Sequence, residues 1–372
     1  MKITSVKVWV TRIPLEREIG ISSKRINARD HTIVNIETDE GITGLGYTWG
    51  YQSSLVTGEC IANILVPLII GQDPLSTETL WERMFNNTTQ VGRKGLLLRA
   101  MSAVDIALWD IKGKKQELPL YRLLGGSQRD IPVYASGGYY HRGDNDLEQL
   151  ADEMARYVEE GYGAVKMKIG GISLRKDVER VRVVRETVGE FVSIMLDANG
   201  AWHDSFSAIA ACRAFKEFAP SWIEEPLPPD QYSASARVAA ETDIPIAGGE
   251  QEYTRWGFAQ LIQSNAVDVI QPNATVAGGI TEWMKIASLA SSAGASLAPH
   301  GNPYIHVHLA AAYSNAMIIE YFEPGEKIKV IGELMEDLVE PSRGFIHPSE
   351  RPGLGITLNE EMRDKYTISK WV

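Results

Sequence analysis

Hydrophobic and polar residues alternate along the first ten positions of the chain, as they do in a half-buried β-strand. Two strand-like stretches, Thr4 to Thr11 and His31 to Glu37, are followed by Gly41, Gly44 and Gly46, which indicate a turn into a third strand. This order predicts an antiparallel sheet. Apolar residues then recur at three and four positions, as in helices, over Gln52 to Val66, Ser76 to Asn86 and Arg93 to Gln116. The pattern predicts an α+β domain over residues 1–125.

From Ile131 onward, short β-rich runs are separated by segments with helical periodicity. Eight such runs lie near Val133, Val165, Val192, Trp222, Ile244, Val267, Ala295 and Met317. Successive runs are 22 to 32 residues apart, which is long enough for a strand, a crossover helix and a loop. Eight βα repeats favour a closed (β/α)8-type (TIM-like) barrel over residues 126–330 rather than an open doubly wound sheet. Residues 331–372 are rich in Gly and Pro, and we expect them to pack back on the N-terminal domain.

The composition narrows the class of partner. Of the 372 residues, 37 are Lys or Arg and 48 are Asp or Glu, so the formal net charge of −11 disfavours attraction to nucleic acid or to an anionic membrane. No apolar run reaches the roughly 18 residues of a membrane span. The two cysteines, Cys60 and Cys212, show no metal-ligand spacing, and the N-terminus lacks the features of a signal peptide. We therefore expect a cytoplasmic protein that binds a small molecule, and an anionic substrate would need a local cation.

Polar residues close most of the predicted barrel strands, at the end where barrel enzymes place their chemistry. Asp197, Glu224 and Glu250 would lie on three consecutive strands, and three converging carboxylates stay ionised together only with a cation. Oxygen ligands suit Mg²⁺ better than Zn²⁺ or copper. Alternation along the strand places Glu224, rather than Glu225, inside the barrel. Each carboxylate could instead cap a helix or pair with a lysine, but the coincidence on three strands favours a metal.

Lys166 and Lys168 are two residues apart, so both would point into the barrel from one strand. Beside each other and near a metal, each ammonium disfavours the charge of the other, so we expect one pKa to fall toward neutrality, as a general base requires. A pair of surface lysines at a strand end is the alternative. His300 would lie across the barrel mouth. His306 and His308 form an H-x-H pattern, but the segment from Tyr304 to Tyr313 is predicted to be helical, where residues two apart do not share a face.

These strand-end residues, in this order, resemble the enolase superfamily, and the Lys-x-Lys with a later His is similar to its mandelate racemase subgroup. The resemblance spans nearly the whole chain. It includes Lys166-Met167-Lys168, Asp197 with Asn199, Glu224-Glu225-Pro226, Gly249-Glu250, Gln271-Pro272, Gly278-Gly279-Ile280-Thr281, His300, Glu320 and Pro352-Gly353-Leu354-Gly355.

The resemblance implies one Mg²⁺ per subunit, held by Asp197, Glu224 and Glu250, to which a substrate carboxylate is chelated and loses its α-proton. It further implies that Lys168 is the base on one face and that His300 is the acid or base on the other. Lys166 and Glu320 would contact the substrate carboxylate. The carbon next to a carboxylate is a very weak acid, so its enolate must be stabilised strongly. A metal and a lysine placed beside the developing negative charge provide that stabilisation. Relatives in this subgroup are commonly symmetric, so we expect a homo-oligomer.

One position departs from the subgroup. Asn273 stands where the pattern has an Asp after Gln-Pro, which forms a dyad with the His. A neutral amide can orient an imidazole but cannot stabilise an imidazolium, so we expect His300 to be a poorer base. This favours dehydration, in which His300 need only donate a proton, over racemisation, which needs a base on both faces. The argument fails if His300 finds another carboxylate.

The resemblance places substrate recognition in two loops of the N-terminal domain, Glu16 to Asp30 and Tyr47 to Leu55. The first loop carries cations, of which we take Arg25 and Arg29, with Asn199, as candidates for binding the substrate. A solvated loop is the alternative. We expect dehydration of an acid sugar to a 2-keto-3-deoxy acid, with a racemase, epimerase or cycloisomerase as the runner-up. A non-catalytic metal-binding relative is a third possibility. A metallohydrolase is disfavoured because no H-x-H pattern lies near the first barrel strand. A dinucleotide-binding fold is disfavoured because the glycine spacing does not match its fingerprint.

Overall fold

The computed structural model describes residues 1–141, 147–326, 328 and 330–371. The chain begins with an antiparallel sheet of β1 (Ile3–Gly20), β2 (Arg25–Thr38) and β3 (Thr43–Trp49), in that spatial order. The helices that follow are α1 (Ser54–Glu59), a π-helical turn (Cys60–Leu65), α2 (Val66–Ile69), α3 (Thr77–Thr88), α4 (Leu96–Lys115) and α5 (Leu120–Leu123). The predicted antiparallel sheet and helical segments are confirmed, and a buried apolar cluster joins the sheet to α3 and α4.

The first two strands are longer than the sequence predicts and form a hairpin arm. Ile19 pairs with Ile26 and Gly20 with Arg25, so most of the segment expected to be a loop over residues 16–30 is strand. That expectation is wrong because the antiparallel pairing continues past an irregularity between Pro14 and Ile19. Only residues 21–24 remain at the tip, where Ser22 Oγ donates to the backbone oxygen of Asn199 in the barrel at 3.2 Å.

Glycines allow β3 to lie directly against α4. A Cβ on Gly44 would meet the backbone oxygen of Ala107 at 2.2 Å, and one on Gly46 would meet that of Ala103 at 2.0 Å. The sequence interpretation took these glycines as turn residues, whereas both lie inside β3. Their function is close approach, because any side chain there would push the helix off the sheet.

The predicted barrel of eight strands is confirmed. Its strands are β4 (Ile131–Ser136), β5 (Ala164–Lys168), β6 (Ser193–Asp197), β7 (Trp222–Glu224), β8 (Ile246–Gly248), β9 (Val269–Ile270), β10 (Ser296–Leu297) and β11 (Ile319–Tyr321). The helices between them are α6 (Leu147–Glu159), α7 (Leu174–Val188), α8 (Ser205–Phe215), α9 (Tyr232–Glu241), α10 (Thr254–Gln263), α11 (Gly279–Ser292) and α12 (Pro303–Ala312), with a 3-10 turn at Lys216–Phe218. Each strand is parallel to its neighbour, β11 lies beside β4, and a backbone bridge from Leu297 to Ala316 links the two ends of the sheet.

Two layers of side chains fill the barrel. The lower layer is apolar and includes Tyr134, Met195 and Trp222 from β4, β6 and β7. The upper layer is charged and includes Lys166 and Glu224, both with no exposed surface. Since side chains alternate along a strand, Trp222 and Glu224 share the interior face, as the alternation predicted. The barrel therefore supports a charged layer on an apolar floor.

The C-terminal segment returns to the N-terminal sheet. After 3-10 turns at Pro324–Glu326 and Val330–Leu334 come β12 (Met335–Glu336), β13 (Phe345–Ile346), β14 (Thr357–Leu358), α13 (Glu360–Tyr366) and β15 (Thr367–Trp371). Strand β15 pairs antiparallel with β1, so it forms the fourth strand of that sheet, and β13 pairs with β4 of the barrel. Across the described ranges, we find no helix with both the length and the apolarity needed to cross a bilayer.

Candidate active site

The two lysines and two of the carboxylates meet at the carboxyl ends of adjacent strands. Lys168 on β5 is in register with Asp197 on β6, and Asp197 is in register with Glu224 on β7. Lys166 Nζ lies 2.8 Å from Glu224 Oε2 and 2.8 Å from Glu320 Oε1, and Lys168 forms an ion pair with Asp197. All of these side chains are buried. The structure thus brings both predicted lysines and three predicted acids into one charged cluster.

Among the charges of the protein itself, the pKa of neither lysine falls toward neutrality. The expected fall was argued for lysines beside a metal and stays a prediction. Burial lowers the pKa of Lys166, but Glu224 and Glu320 outweigh burial and hold the pKa well above its ordinary value. Burial also lowers the pKa of Lys168, and Lys166 adds to that effect, yet the adjacent Asp197 raises the pKa overall. The sequence argument counted the like charge on the neighbouring lysine, whereas the opposite charges on the adjacent strands are stronger.

The carboxylates have contrasting electrostatic environments. Burial and the charge of Asp197 raise the pKa of Glu224 to about 7, although Lys166 opposes the rise. The pKa of Glu250 is lowered to about 2, because His300 and the two lysines outweigh its burial. The ionised form of Glu224 is thus disfavoured, whereas that of Glu250 is favoured. A cation bound beside them would stabilise the ionised form of both.

Two of the three predicted metal ligands, together with His300, lie close enough to share one cation. Glu224, Glu250 and His300 each offer one ligand atom, and these atoms all lie within 4.8 Å of one another. Octahedral Mg²⁺ with ligands at about 2.1 Å spaces its donors roughly 3 to 4 Å apart, so the spacing is compatible with one shared ion. Beside the cluster, the buried Oδ1 of Asn199 has no hydrogen-bond partner among the described residues. This grouping contains His300 rather than Asp197, because Asp197 turns to Lys168 and to the backbone N–H of Asn199.

His300 makes contacts on both ring nitrogens and lines the same cavity as Lys168. Nε2 is 2.7 Å from Glu250 Oε2 and 3.4 Å from Glu320 Oε2. Nδ1 is 3.1 Å from Nδ2 of Asn273, the residue that departs from the subgroup pattern. The Glu320 carboxylate is itself held by the backbone N–H of Gly301 at 2.8 Å. His300 has therefore found carboxylates, but at Nε2 and not at Nδ1, where the amide of Asn273 lies.

A cavity opens above this cluster between the barrel and the N-terminal domain. The barrel side is formed by Tyr139, Lys168, Asn199, Glu250, His300 and Phe322. The N-terminal domain contributes Ile21, Ile26, Ala28, Arg29, Asp30, His31, Trp49, Gly50 and Tyr51. Arg29 is only 8% exposed, and its Nε donates to the backbone oxygen of Ile328 at 2.8 Å. Arg25 lies outside the lining, where its guanidinium donates to the backbone oxygen of Tyr140 at 3.2 Å. The two candidate arginines are thus separated by the pairing of the hairpin arm.

Both halves of the chain match one protein family. Residues 3–125 match the N-terminal domain of mandelate racemase / muconate lactonizing enzyme, and residues 149–362 match the enolase C-terminal domain-like family. The chain belongs to the mandelate racemase/muconate lactonizing enzyme family. The resemblance inferred from the strand-end residues is therefore confirmed.

Several members of the family are similar over most of their length. Arabinonate dehydratase of Saccharolobus solfataricus is 38% identical over 89% of this chain and 89% of that protein. L-talarate/galactarate dehydratase of Salmonella typhimurium is 35% identical over 89% of this chain and 81% of that protein. Two cycloisomerases and an N-succinyl-L-Arg/Lys racemase, at 32 to 34% identity, are also relatives. The family relatives thus include lyases and isomerases.

Solved structures in the family agree with this fold. A racemase from Streptomyces coelicolor A3(2) with bound magnesium has a TM-score of 0.92 at 31% identity, covering 98% of this chain and 100% of that one. L-talarate dehydratase from Polaromonas sp. JS666, complexed with Mg and L-glucarate, has a TM-score of 0.90 at 34% identity, covering 100% of this chain and 98% of that one.

Sequence reasoning missed several residues of this family member's site. Tyr51 and Tyr139 line the cavity, but tyrosines carry no local signal that distinguishes them from core residues. His306 was set aside as a metal ligand, and in the structure it connects two loops of the site, accepting from the backbone N–H of Ala274 at 3.0 Å and contacting the oxygen of Gly301. Its position in a predicted helix gave no indication of that contact.

Two other histidines differ in their position relative to the cavity. His31 lines the cavity, whereas His141 lies outside the lining, with its Nδ1 3.4 Å from the backbone oxygen of Glu18. Thr275 and Asn302 were not singled out at all. Both are buried beside Asn273.

Proposed function

We propose that this chain is a Mg²⁺-dependent dehydratase that converts an acid sugar to a 2-keto-3-deoxy acid. Lys168 takes the proton from the carbon next to the substrate carboxylate, and water leaves from the neighbouring carbon. Lys166, held by Glu224 and Glu320, places a positive charge where negative charge develops on the carboxylate. His300 donates a hydrogen bond to the departing hydroxyl, and the ammonium of Lys168 supplies the proton that completes the water.

Asp197, Glu224 and Glu250 would hold one Mg²⁺, which when bound would neutralise the charge that keeps a proton on Lys168 and would polarise the substrate carboxylate. Lys168 is 5% exposed and lines the cavity, so its side chain has access to a substrate there. Asn199, in the same lining, would hydrogen bond to the substrate through its Oδ1, which has no partner in the described part of the chain.

The observation that carries dehydration over racemisation is the neighbour of His300. Racemisation by two bases requires His300 to accept a proton, and a carboxylate on Nδ1 would stabilise the imidazolium that results. The neighbour of Nδ1 is the amide of Asn273, at 3.1 Å. An elimination with Lys168 as the only base does not require that imidazolium.

The substrate is proposed to be polar along its length. The buried Arg29 adds a positive charge to the lining of the cavity, away from the carboxylate cluster of the barrel. A guanidinium donates several hydrogen bonds to hydroxyls or to a second carboxylate, which an acid sugar supplies along its length and a simple aromatic acid does not. Dehydratases of arabinonate and of talarate or galactarate among the relatives support the same class.

The test is a screen of acid sugars with the purified protein and Mg²⁺, in which semicarbazide detects 2-keto acids. We expect one group of related acid sugars to give product, and we expect EDTA to abolish the reaction. The same incubations in D₂O distinguish the chemistries. Recovered or inverted substrate that carries deuterium at Cα, without a 2-keto product, would indicate a racemase or epimerase instead.

A second experiment separates an enzyme from a metal-binding relative without activity. The Lys168→Ala variant should lose turnover by about 10²- to 10⁴-fold, which is the usual contribution of a general base. Its circular dichroism spectrum and thermal midpoint should stay near those of the parent chain. Equal turnover in the two proteins would contradict the role given to Lys168.

A further inference from the structure

The orientation of the Asn273 amide is determined by its surroundings. Its Oδ1 accepts from the backbone N–H of Thr275 at 2.9 Å, from Thr275 Oγ1 at 2.8 Å and from Asn302 Nδ2 at 3.1 Å. A backbone N–H can only donate, so the atom that faces it must be the amide oxygen and not the nitrogen. The amide nitrogen is thereby directed to the other side, toward His300.

This orientation decides which nitrogen of His300 carries the proton. The amide nitrogen of Asn273 is only a donor, and it lies 3.1 Å from Nδ1, so Nδ1 must accept. A neutral imidazole with an accepting Nδ1 carries its proton on Nε2.

The groups around the amide leave it little freedom to rotate. Asn273 and Thr275 have no exposed surface, and Asn302 is 1% exposed. Asn302 Nδ2 also donates to Thr275 Oγ1 at 3.1 Å, so the three side chains are mutually bonded. From the N-terminal domain, Thr48 Oγ1 donates to the backbone oxygen of Thr275 at 2.6 Å. Turning the amide over would leave two donors facing each other in a buried place.

We propose that Thr275 and Asn302 are positioning residues which, through Asn273, keep the proton of His300 on Nε2. His300 then offers a hydrogen bond to the reaction chamber and does not accept a proton from it. The tautomer proposal rests on the proposed function only in one respect, namely that the cavity is where the α-proton of the substrate is removed. It adds that proton exchange at Cα is restricted to the face of Lys168.

Nitrogen NMR of the full chain labelled with ¹⁵N-histidine tests the assignment directly. Spectra are recorded with excess Mg²⁺, and the His300 signals are identified by their loss in His300→Asn. We expect the Nε2 of His300 to show the shift of a protonated ring nitrogen and Nδ1 that of an unprotonated one. The reverse pattern, or two protonated nitrogens, would overturn the proposal.

Two sets of variants test the positioning residues. Asn273→Asp replaces the donor with an acceptor, and we expect the proton signal to move to Nδ1. Thr275→Val removes the hydroxyl at nearly constant volume, whereas Thr275→Ser keeps it. We expect the signal of protonated Nε2 to decrease in Thr275→Val and to stay in Thr275→Ser. An unchanged signal in both Asn273→Asp and Thr275→Val would refute the positioning role, and the spectrum of the parent chain decides the tautomer even if a variant does not fold.

The outcome is separable from that of the acid-sugar screen. A protonated Nε2 in a protein that dehydrates none of the acid sugars would leave the tautomer standing and remove the proposed function. Dehydration by a protein whose His300 is protonated on Nδ1 would do the reverse. With both results positive, exchange in D₂O should occur at Cα from one face only, and Asn273→Asp should add exchange from the second face.

Discussion

Two adjacent glutamates at the end of β7 point in different directions and have different partners. Glu224 points into the barrel and contacts Lys166 and Gln271, whereas Glu225 is bonded to Gln251 outside that cluster. Both are buried and both have a raised pKa, so burial alone does not distinguish them. The direction of the side chain distinguishes them.

We therefore expect Glu224→Gln to weaken Mg²⁺ binding and Glu225→Gln to leave it nearly unchanged. Loss of residues that only support a metal ligand usually weakens affinity 10- to 100-fold, so loss of a ligand should cost about 100-fold or more. Isothermal titration calorimetry of the two variants with Mg²⁺ measures the difference. Similar affinities in the two variants would argue against Glu224 as a ligand.

The two candidate arginines form a second matched pair. Arg29 lines the cavity, and Arg25 does not. Since a hydrogen bond to a charged group contributes about 1.5–3 kcal/mol, Arg29→Gln should raise KM for the acid sugar by about 10- to 100-fold, with a smaller change in kcat. Arg25→Gln should change KM less than threefold, by roughly 0.6 kcal/mol or less. Steady-state kinetics on the substrate found in the screen would contradict the assignment if Arg25→Gln had the larger effect.

At the scale of elements, the close contact between β3 and α4 requires a glycine at position 46, which the hydrophobic pattern does not predict. A Cβ on Gly46 would lie 2.0 Å from the backbone oxygen of Ala103 and 2.8 Å from the backbone nitrogen of Ala107. These neighbours are backbone atoms of one helix, so they cannot move away singly. The helix and the sheet would have to separate.

Gly46→Ala should therefore lower the free energy of unfolding by about 3 kcal/mol, at the upper end of the usual cost of overpacking. Gly163→Ala is the control, because a Cβ there meets nothing within 4 Å. That substitution should change the free energy by at most about 0.5 kcal/mol. Urea unfolding followed by circular dichroism compares them, and equal midpoints would mean that the two elements adjust more easily than their packing indicates.

At the scale of the whole molecule, the N-terminal domain and the barrel share a buried acid. Asp105 on α4 accepts from the backbone N–H of Thr281 at 2.9 Å and from its hydroxyl at 2.6 Å, at the start of α11. Trp109, also on α4, donates to the same hydroxyl at 2.9 Å. Burial raises the pKa of Asp105 to about 7, although the bonds from Thr281 oppose the rise.

This raised pKa makes the domain contact dependent on pH. The unfolded chain loses the proton of Asp105 near its ordinary pKa of 3.8, and the folded chain keeps the proton until about pH 7. Between those values the folded state binds more protons, so the contribution of Asp105 to stability falls as pH rises, by up to about 1.4 kcal/mol per pH unit. Above pH 7 the contribution is constant.

The difference in unfolding free energy between the parent chain and Asp105→Asn isolates this contribution, because other titrating groups cancel. We expect the advantage of the parent chain to shrink from pH 4 to pH 7 and then to level off. Urea unfolding at several pH values measures it. A difference that grows with pH would show that the ionised form of Asp105 is the one stabilised by Thr281.

Much of this protein is determined by local sequence patterns. Alternation and helical periodicity predicted the antiparallel sheet, the eight barrel strands and most of the helices, because each element must direct an apolar face to a core. The strand-end residues identified the family, since parallel strands of a barrel bring their carboxyl ends together whatever lies between them. The inward direction of Glu224 followed from the same two-residue period.

The tertiary structure decided what depends on contacts between distant segments. The extension of the hairpin arm places Arg29 in the cavity lining and Arg25 outside it, which residue type could not indicate. The ion pair with Asp197 keeps the pKa of Lys168 high, because opposite charge from a neighbouring strand outweighs like charge along its own strand. Thr275 and Asn302 orient the amide of Asn273 only because two loops, 27 residues apart along the chain, meet there. Electrostatics and hydrogen-bond direction act over a few ångströms in space, and the sequence specifies those distances only through the fold.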